Sequence, residues 1–483
     1  MLQAVCLGVA LKLKGMALKA WRFYGLMGIA IGIPLTLIHF LRLDMVPWAS
    51  IILAGYLVLE LVWLSLLLLS VGTSRYRHPA ADVDSRSPNP QPEDPQTEKA
   101  QPTVAVIIAA YNEEAMLPET VDGVLAQSVQ PDRILVVDDG SSDGSLTVLA
   151  QRYGVVYQDG IGRSPHYPTL QVLAKHHSGK ADSLNAGVRL AQDDVVITVD
   201  ADTQMKAGAI AAVKTYFAED SELKVIGPLM QPVCEPGRFA KAMQTLQRYE
   251  YLRSFSTQAA WSRIDGTLTV SGACAAYRRD ILMAVGAFDP TSWVEDYEVM
   301  VRIYRYCRAR HLRPKVLISP YLTATTDAPN SVPAFIRQRR RWIGGFLQTL
   351  LRYRHIVGKP KEGVIGSAYL VLGVVDACSP VYAIASIGLI FSMVFGMVRL
   401  PSIILVLLGA RWTLDFLFSW VNITRHQQWQ RCQWQVANEG QTRWFNRRGA
   451  LIETVLRPFV LLPLYQVSYW VGWLANFRGR LSW

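Results

Sequence analysis

Five short polar stretches hold residues whose types and spacing can do chemistry. Asp200-Ala201-Asp202 follows a run of valine, isoleucine and threonine. Two carboxylates so spaced beyond a strand's carboxyl end can share a hard divalent cation with a diphosphate. Taken alone, the same spacing also makes an ordinary acidic turn. Asp138-Asp139-Gly140-Ser141 is open in the same way, because Asp-Gly turns close many α/β units. His177-Ser178-Gly179-Lys180-Ala181 sets a lysine just inside a predicted helix start. Helix-end amides and an ammonium there form an anion site, and a capped helix explains the glycine equally well. Glu295-Asp296 stands between the Phe288-Asp289-Pro290 turn and an amphipathic stretch, Tyr297–Tyr306. A carboxylate at that place can take a proton from a hydroxyl or simply complement a helix dipole. Last comes Gln338-Arg339-Arg340-Arg341-Trp342, with four arginines in Arg337–Arg341. Such a cluster can meet phosphate and stack on a flat ring, or lie against anionic lipid.

The elements that must position these residues are readable from apolar runs. Val104–Ala109, Ile134–Val137 and Val195–Val199 read as buried strands, and a helix is predicted from near Pro118, where proline suits the first turn. Strand–turn–helix repeats of this length predict an α/β domain with a mainly parallel sheet. Its polar turns gather at the carboxyl ends of the strands, where open α/β sheets bind ligands. Apolar runs at Tyr24–Leu41, Val46–Val71, Gly363–Val398, Pro401–Ile423 and Ala450–Ala475 predict about five membrane spans. Arginines between Thr424 and Gly449 put that loop on the cytoplasmic side, and Glu60 inside the second run calls for a partner on another helix. The 483 residues are 51% hydrophobic and 18% charged, which is too apolar for a purely soluble chain of this size. A net charge of +11 without a basic, aromatic-interleaved stripe away from the apolar runs argues against nucleic acid as a partner. Six scattered cysteines with no C-x-x-C pair suggest reduced thiols.

Each stretch is ambiguous alone, but their order is not. Ala110-Tyr111-Asn112-Glu113 is followed by D-D-G-S, by S-G-K-A-D-S-L-N-A-G and by D-A-D. Ser271-Gly272-Ala273-Cys274, E-D and Q-R-R-R-W complete the series. Over roughly Val104 to Gly345 the chain resembles glycosyltransferase family 2, in particular the processive membrane synthases of cellulose, hyaluronan, chitin and poly-N-acetylglucosamine. The Q-x-x-R-W motif marks the processive branch. The S-G-A-C-A-A-Y-R-R stretch and the five-span layout look most like bacterial poly-β-1,6-N-acetylglucosamine synthases of biofilm matrix.

The resemblance implies a GT-A-type (nucleotide-diphospho-sugar transferase) cytosolic domain and an inverting, processive β-glycosyltransferase. It would use a UDP-sugar, UDP-N-acetylglucosamine first, and secrete the polysaccharide. It implies that Tyr111, Asp138 and Asp139 hold the uracil and that Lys180 and Asp200 sit at the nucleotide. Asp200 and Asp202 would anchor Mg²⁺ or Mn²⁺, and Asp296 would be the general base. Gln338, Arg341 and Trp342 would meet the acceptor and the departing diphosphate. The implied partners are the donor, the growing polysaccharide, membrane lipids and small membrane or periplasmic subunits; the implied location is the inner (plasma) membrane, multi-pass. The corresponding organisation is 1–75, an N-terminal segment and hairpin; 76–102, a disordered linker; 103–333, the cytosolic glycosyltransferase domain; 334–362, interfacial helices; and 363–483, a C-terminal transmembrane region. Val294 replaces the threonine that many cellulose synthases carry before Glu-Asp, and there is no F-x-V-T-x-K loop or cyclic-dinucleotide domain. The readings that compete are a UDP-glucose-using β-glucan synthase, a single-sugar transferase acting on a lipid-linked acceptor, and a non-catalytic export subunit.

Overall fold

Val104–Ala110 (β1) is an unbroken apolar run buried on both faces, and the sheet is built outward from it. The computed structural model describes residues 46–73, 101–378 apart from 159 and 236, 402–434 and 460–478, with single residues 380, 455 and 457. The chain divides into two units, Thr73–Ser331 with Gln427–Gly440, and Met1–Gly72 with Val332–His426 and Gln441–Trp483.

The first unit holds a ten-stranded sheet. Its other strands are β2 (Arg133–Asp138), β3 (Val156–Gln158), β4 (Ile161–Arg163), β5 (Leu170–Ala174), β6 (Val195–Asp200), β7 (Thr203–Met205), β8 (Leu223–Val233), β9 (Cys274–Arg278) and β10 (Lys315–Asp327). Their order is β3-β4-β5-β2-β1-β6-β9-β8-β10-β7. β1 pairs in parallel with β2 and β6, β2 with β5, and β8 with β10. The remaining five pairings are antiparallel. The sheet is therefore mixed, which corrects the mainly parallel sheet expected from the strand–turn–helix repeats. Those repeats describe only the centre. β9 inserts between β6 and β8 running against both, and the β3–β4 hairpin turns the far edge back on β5.

The parallel centre fixes where chemistry can gather. Ala110 lies opposite Asp138, Ala109 opposite Asp200 and Asp138 opposite Ala174, so β1, β2, β5 and β6 finish along one edge. Three helices serve that edge. Leu117–Leu125 (α1) starts with Pro118 in its first turn, Ser145–Tyr153 (α2) follows the Asp138–Ser142 turn, and Lys180–Leu190 (α3) begins at the lysine. Glu295–Ala309 (α4) buries one face and carries Glu295, Asp296 and Glu298 in its first turn, where acids complement the helix dipole. Arg302 grips the buried Glu298 carboxylate at 2.7 Å and holds that turn down.

In the second unit, Val332–Arg352 (α5) packs along Leu461–Arg478 (α7), with Asn476 Nδ2 donating to Gly344 O at 2.8 Å. Ser402–Trp434 (α6) is a 33-residue helix, so Arg425 and Arg431 continue a helix that the sequence ended near Ile423. The expectation of about five spans and a multi-pass location does not hold. Among the described residues one helical stretch, Ser402–Gln427, is long and apolar enough to cross a membrane; Glu60–Val71 and Ile365–Ala377 are apolar but shorter. The run from Gly363 is broken into a π-helical turn at Ile365–Tyr369 and a short helix at Leu370–Ala377. Glu60, on the helix Val46–Thr73, is ion-paired with Arg411, and Asp415 with Arg457 at 3.3 Å, so these runs use charges to pack within the unit. Tyr24–Leu41, Arg42–Asp44 and nearly all of the 76–102 linker lie outside the described residues.

α3 reaches the sheet through Gly187, where a Cβ would stand 2.4 Å from Ile107 Cγ2 in the fully buried centre of β1. Gly187→Val should overpack this contact and cost about 3 kcal/mol, read as a fall in the thermal midpoint of the purified protein. An unchanged midpoint would show that α3 is free to lift off.

Candidate functional site

Three carboxylates crowd the turn after β6. Asp200 ends the strand, Asp202 follows after Ala201, and Glu113 comes from the loop after β1. The buried Thr120 hydroxyl donates to Ala201 O at 2.6 Å and fixes the turn between the acids. Burial, then the Asp202 and Asp200 charges, push the Glu113 carboxyl up to about 7. Burial and the Asp200 charge push Asp202 up to about 6, with Lys180 in partial opposition. Lys180 Nζ stands 2.5 Å from Asp200 Oδ1 and 3.5 Å from Glu295 Oε1. The cluster thus carries more negative charge than its lysine offsets, which is the environment a divalent cation would stabilise. Among the described residues no group of three or more His, Cys, Asp or Glu side chains is arranged to enclose a metal. Asp200 and Asp202 are the side chains here that could contribute to such a site.

The Asp138–Ser142 turn divides its two acids between different tasks. Asp139 is fully engaged: Oδ1 accepts from Lys175 Nζ at 2.5 Å and from the Ser178 amide at 3.0 Å, while Oδ2 accepts from the Gly179 amide at 2.8 Å. Burial alone would raise its pKa, but the Lys175 ammonium and these amides hold it below the usual carboxylate range. Asp138 Oδ2 accepts from the Gly140 and Ser141 amides, both at 3.1 Å. Its other oxygen, Oδ1, is buried and has no hydrogen-bond partner among the described residues. A buried acceptor left so is costly unless a ligand donor completes it.

Tyr111 and His177 stand side by side at this edge, with ring centroids 4.3 Å apart and tilted by 30°. His177 Nδ1 lies 2.9 Å from Asp139 Oδ2 and 3.2 Å from Asp139 O. Both neighbours only accept, so Nδ1 carries a proton. Tyr111 is 46% exposed and offers an aromatic face to solvent. Its loop is held against the next one: Asn112 N–H donates to Ser141 Oγ at 2.9 Å, and Asn112 Oδ1 accepts from the Ser142 amide at 2.8 Å. Asn112 adopts φ +56, a left-handed conformation that asparagine tolerates well.

Asp296 occupies the second position of α4, half-buried. Oδ1 accepts from the Tyr297 amide and Oδ2 from the Gly272 amide, each at 2.8 Å. Burial and then the Glu295 charge raise its pKa to about 6, against the lowering effects of Lys180 and the two amides. Glu295, Lys180 and Asp200 form a chain of charges running from the residue beside Asp296 to the acid cluster. The structure therefore brings Tyr111, Asp138, Asp139, Lys180, Asp200, Asp202 and Asp296 to one region of the first unit. Glu113, Lys175, His177 and Gly272 join them there. Glu113, His177 and Gly272 lie inside motifs visible in the sequence and Lys175 just before one, and only their contacts reveal what each does.

Gln338, Arg341 and Trp342 belong to α5 of the second unit. Arg339 between them is 1% exposed. Its guanidinium carbon lies 4.1 Å from the Trp342 ring, 4.6 Å from the Phe335 ring and 5.8 Å from the Tyr465 ring. It donates to Tyr465 Oη at 3.2 Å and to Gln338 Oε1. Arg339 is thus a packed cation among aromatics, not lipid-facing surface charge.

Residues 105–286 match the family model Glycosyl transferase family 2. A poly-beta-1,6-N-acetyl-D-glucosamine synthase of Staphylococcus aureus (strain COL) is 24% identical over 253 residues, 52% of this chain and 56% of that protein. An N-acetylglucosaminyltransferase of Sinorhizobium fredii (strain NBRC 101917 / NGR234) is 27% identical over 278 residues, 54% of this chain and 61% of that one. The chain thus spans little more than half the length of these curated relatives. A solved mannosyltransferase from Pyrobaculum calidifontis, in complex with GDP-Man and Mn²⁺, overlaps 94% of this chain and 100% of its own at 16% identity, with a TM-score of 0.49. A superposition that loose says nothing of the site. Residues 105–286 are thus similar to glycosyl transferase family 2, and the chain is distantly similar to poly-N-acetylglucosamine synthases and N-acetylglucosaminyltransferases.

Proposed function

We propose that the protein transfers a sugar from a UDP-sugar to an acceptor hydroxyl with inversion, and repeats the step to build a polymer. The observation that carries the reading is Asp296, held by two amides at 2.8 Å and linked through Glu295 and Lys180 to the Asp200 end of β6. N-acetylglucosamine is the proposed sugar, supported by the names of the relatives. Repetition of the step is supported by the Gln338–Trp342 motif alone, and so is the role of Gln338, Arg341 and Trp342 at the acceptor and leaving diphosphate.

The acceptor oxygen attacks C1 of the donor sugar from the face opposite the diphosphate. As the new C–O bond forms, Asp296 takes the hydroxyl proton, and the bond from C1 to the phosphate oxygen breaks with its electron pair leaving on UDP. With Asp296 acting as base rather than as nucleophile, a single displacement turns an α-linked donor into a β-linkage. Lys180 stands ready to meet charge on the leaving group. Asp138 Oδ1, the unpaired acceptor, would receive an imide N–H of uracil while Tyr111 offers its ring, and Asp139 would keep the Lys175–Gly179 loop in place. A divalent cation bound by Asp200 and Asp202 would add charge neutralisation on the diphosphate.

Asp296→Asn should lower kcat about 100-fold or more while leaving UDP-sugar affinity within about threefold, measured as UDP release and polymer formed. Near-normal polymer synthesis by this variant would remove Asp296 as the base. A base raised to about 6 is protonated, and inactive, below that value. The sign therefore predicts kcat/KM climbing with pH through about 6 to a plateau, with the acid limb absent from residual turnover in Asp296→Asn. A limb near pH 4 would show an unperturbed carboxyl. Asp202→Asn should raise the Mn²⁺ concentration needed for half-maximal rate about tenfold or more, with chelator abolishing turnover in both proteins. Full activity in chelator would exclude a metal-dependent site.

A further inference from the structure

Ser271-Gly272-Ala273-Cys274 supplies no side chain to the acid cluster or to the base, yet its backbone touches both. The Gly272 amide donates to Asp296 Oδ2 at 2.8 Å. One residue on, Ala273 O accepts from the Asp200 amide at 3.0 Å. The buried Thr198 hydroxyl on β6 lies 3.3 Å from Gly272 O and 3.4 Å from Ala275 O, so it is shared between two carbonyls of this segment. The backbone of two consecutive residues therefore ties the last residue of β6 to the carboxylate on α4. Two elements far apart in sequence have their relative placement set by this short bridge.

The residue type matters as much as the amide. A Cβ on Gly272 would stand 2.9 Å from Asp296 Cβ, 2.9 Å from Oδ2 and 3.1 Å from Cγ, closer than such atoms pack. All three of its nearest neighbours belong to Asp296. Gly187 differs, since the Cβ it lacks would meet only the core side chain of Ile107. Packing alone makes glycine necessary there; at Gly272 the space is kept for one carboxylate.

We propose that Gly272 is a positioning residue for the base: anchored to β6 through Thr198 and Asp200, its backbone holds the Asp296 carboxylate at a set distance from the diphosphate end of the site. The inference rests on Asp296 being the base. It adds that the rate depends on where that carboxylate stands, and that a residue without a side chain sets the place.

Gly272→Ala should lower kcat about 100-fold, because displacement of a reacting group by about an ångström costs that much. The KM for UDP-N-acetylglucosamine and the affinity for UDP should stay within about twofold. In an Asp296→Asn background the same change should lower the residual rate by less than about twofold, since effects that act through one group do not add. Thr198→Val, which removes the anchor on Gly272 O with little change of volume, should lower kcat about threefold with the same unchanged KM. Thermal midpoints and UDP binding report whether each variant is folded, and Thr198→Val carries the test if Gly272→Ala is not. Unchanged kcat in Gly272→Ala, an equal loss in the Asp296→Asn background, or unchanged kcat in Thr198→Val overturns the proposal. Should Asp296→Asn keep full activity, the base assignment fails first, and that result is separate from any of these.

Discussion

Carboxylate repulsion at one sheet edge is the constraint on which the first unit depends. Four parallel-paired strands, β1, β2, β5 and β6, end together, and the turns beyond them carry Glu113, Asp138, Asp139, Asp200 and Asp202. Left uncompensated, so many acids in a partly buried space would protonate or push the loops apart. The structure treats them unequally. Lys175 and two amides neutralise Asp139, and this one carboxylate ties down the loop that leads into α3. Lys180, the first residue of α3, goes to Asp200. Glu113 and Asp202 are left with raised pKa values, and the missing positive charge is what a ligand with its cation would bring. Local stability and binding are thus linked. The contacts that settle Asp139 position the lysine, and the charge left unsettled is what favours a cation there.

Much of this could be read in the chain because the parallel centre is written locally. Continuous apolar runs mark β1, β2 and β6, and the acids that follow them must share an edge once those strands run parallel. The same reasoning fails where pairing is set from a distance. β9 is a short Cys-Ala-Ala-Tyr-Arg segment, and nothing local says that it lies between β6 and β8 with reversed direction. The division of labour between Asp138 and Asp139 is equally hidden. Adjacent residues of one type differ only in which amides their turn presents, and that depends on Ser178 and Gly179, some forty positions on. Hydropathy also misled in the second unit, because length and apolarity do not distinguish a helix facing lipid from one facing other helices. Glu60 with Arg411 and Asp415 with Arg457 show polar groups placed to meet across that unit.

The arginine-rich stretch of α5 illustrates why residue type without burial misassigns charge. Four arginines within five residues invite a single electrostatic explanation. Arg337 is exposed and Arg339 is buried, although they lie two positions apart on one helix. An arginine two residues along a helix is turned by about 200°, so one side chain can face outward while the other enters the packing. Guanidinium tolerates this place because it is planar and weakly hydrated, and three aromatic rings receive it.

That burial changes what the neighbouring side chains can offer. Trp342 has the Arg339 guanidinium 4.1 Å from its ring, so one face of this indole is taken up by the cation. Gln338 has its carbonyl oxygen engaged by the same arginine, which sets the orientation of the amide. The motif is then more than a fixed spacing of Gln338, Arg341 and Trp342. Its second residue acts as an internal brace, stacking the tryptophan and orienting the glutamine from beneath. The same division recurs in the first unit, where Asp139 braces a loop and Gly272 a carboxylate. In both units, side chains or backbone groups that hold others in place accompany those suited to chemistry, and residue type alone does not reveal the holding residues.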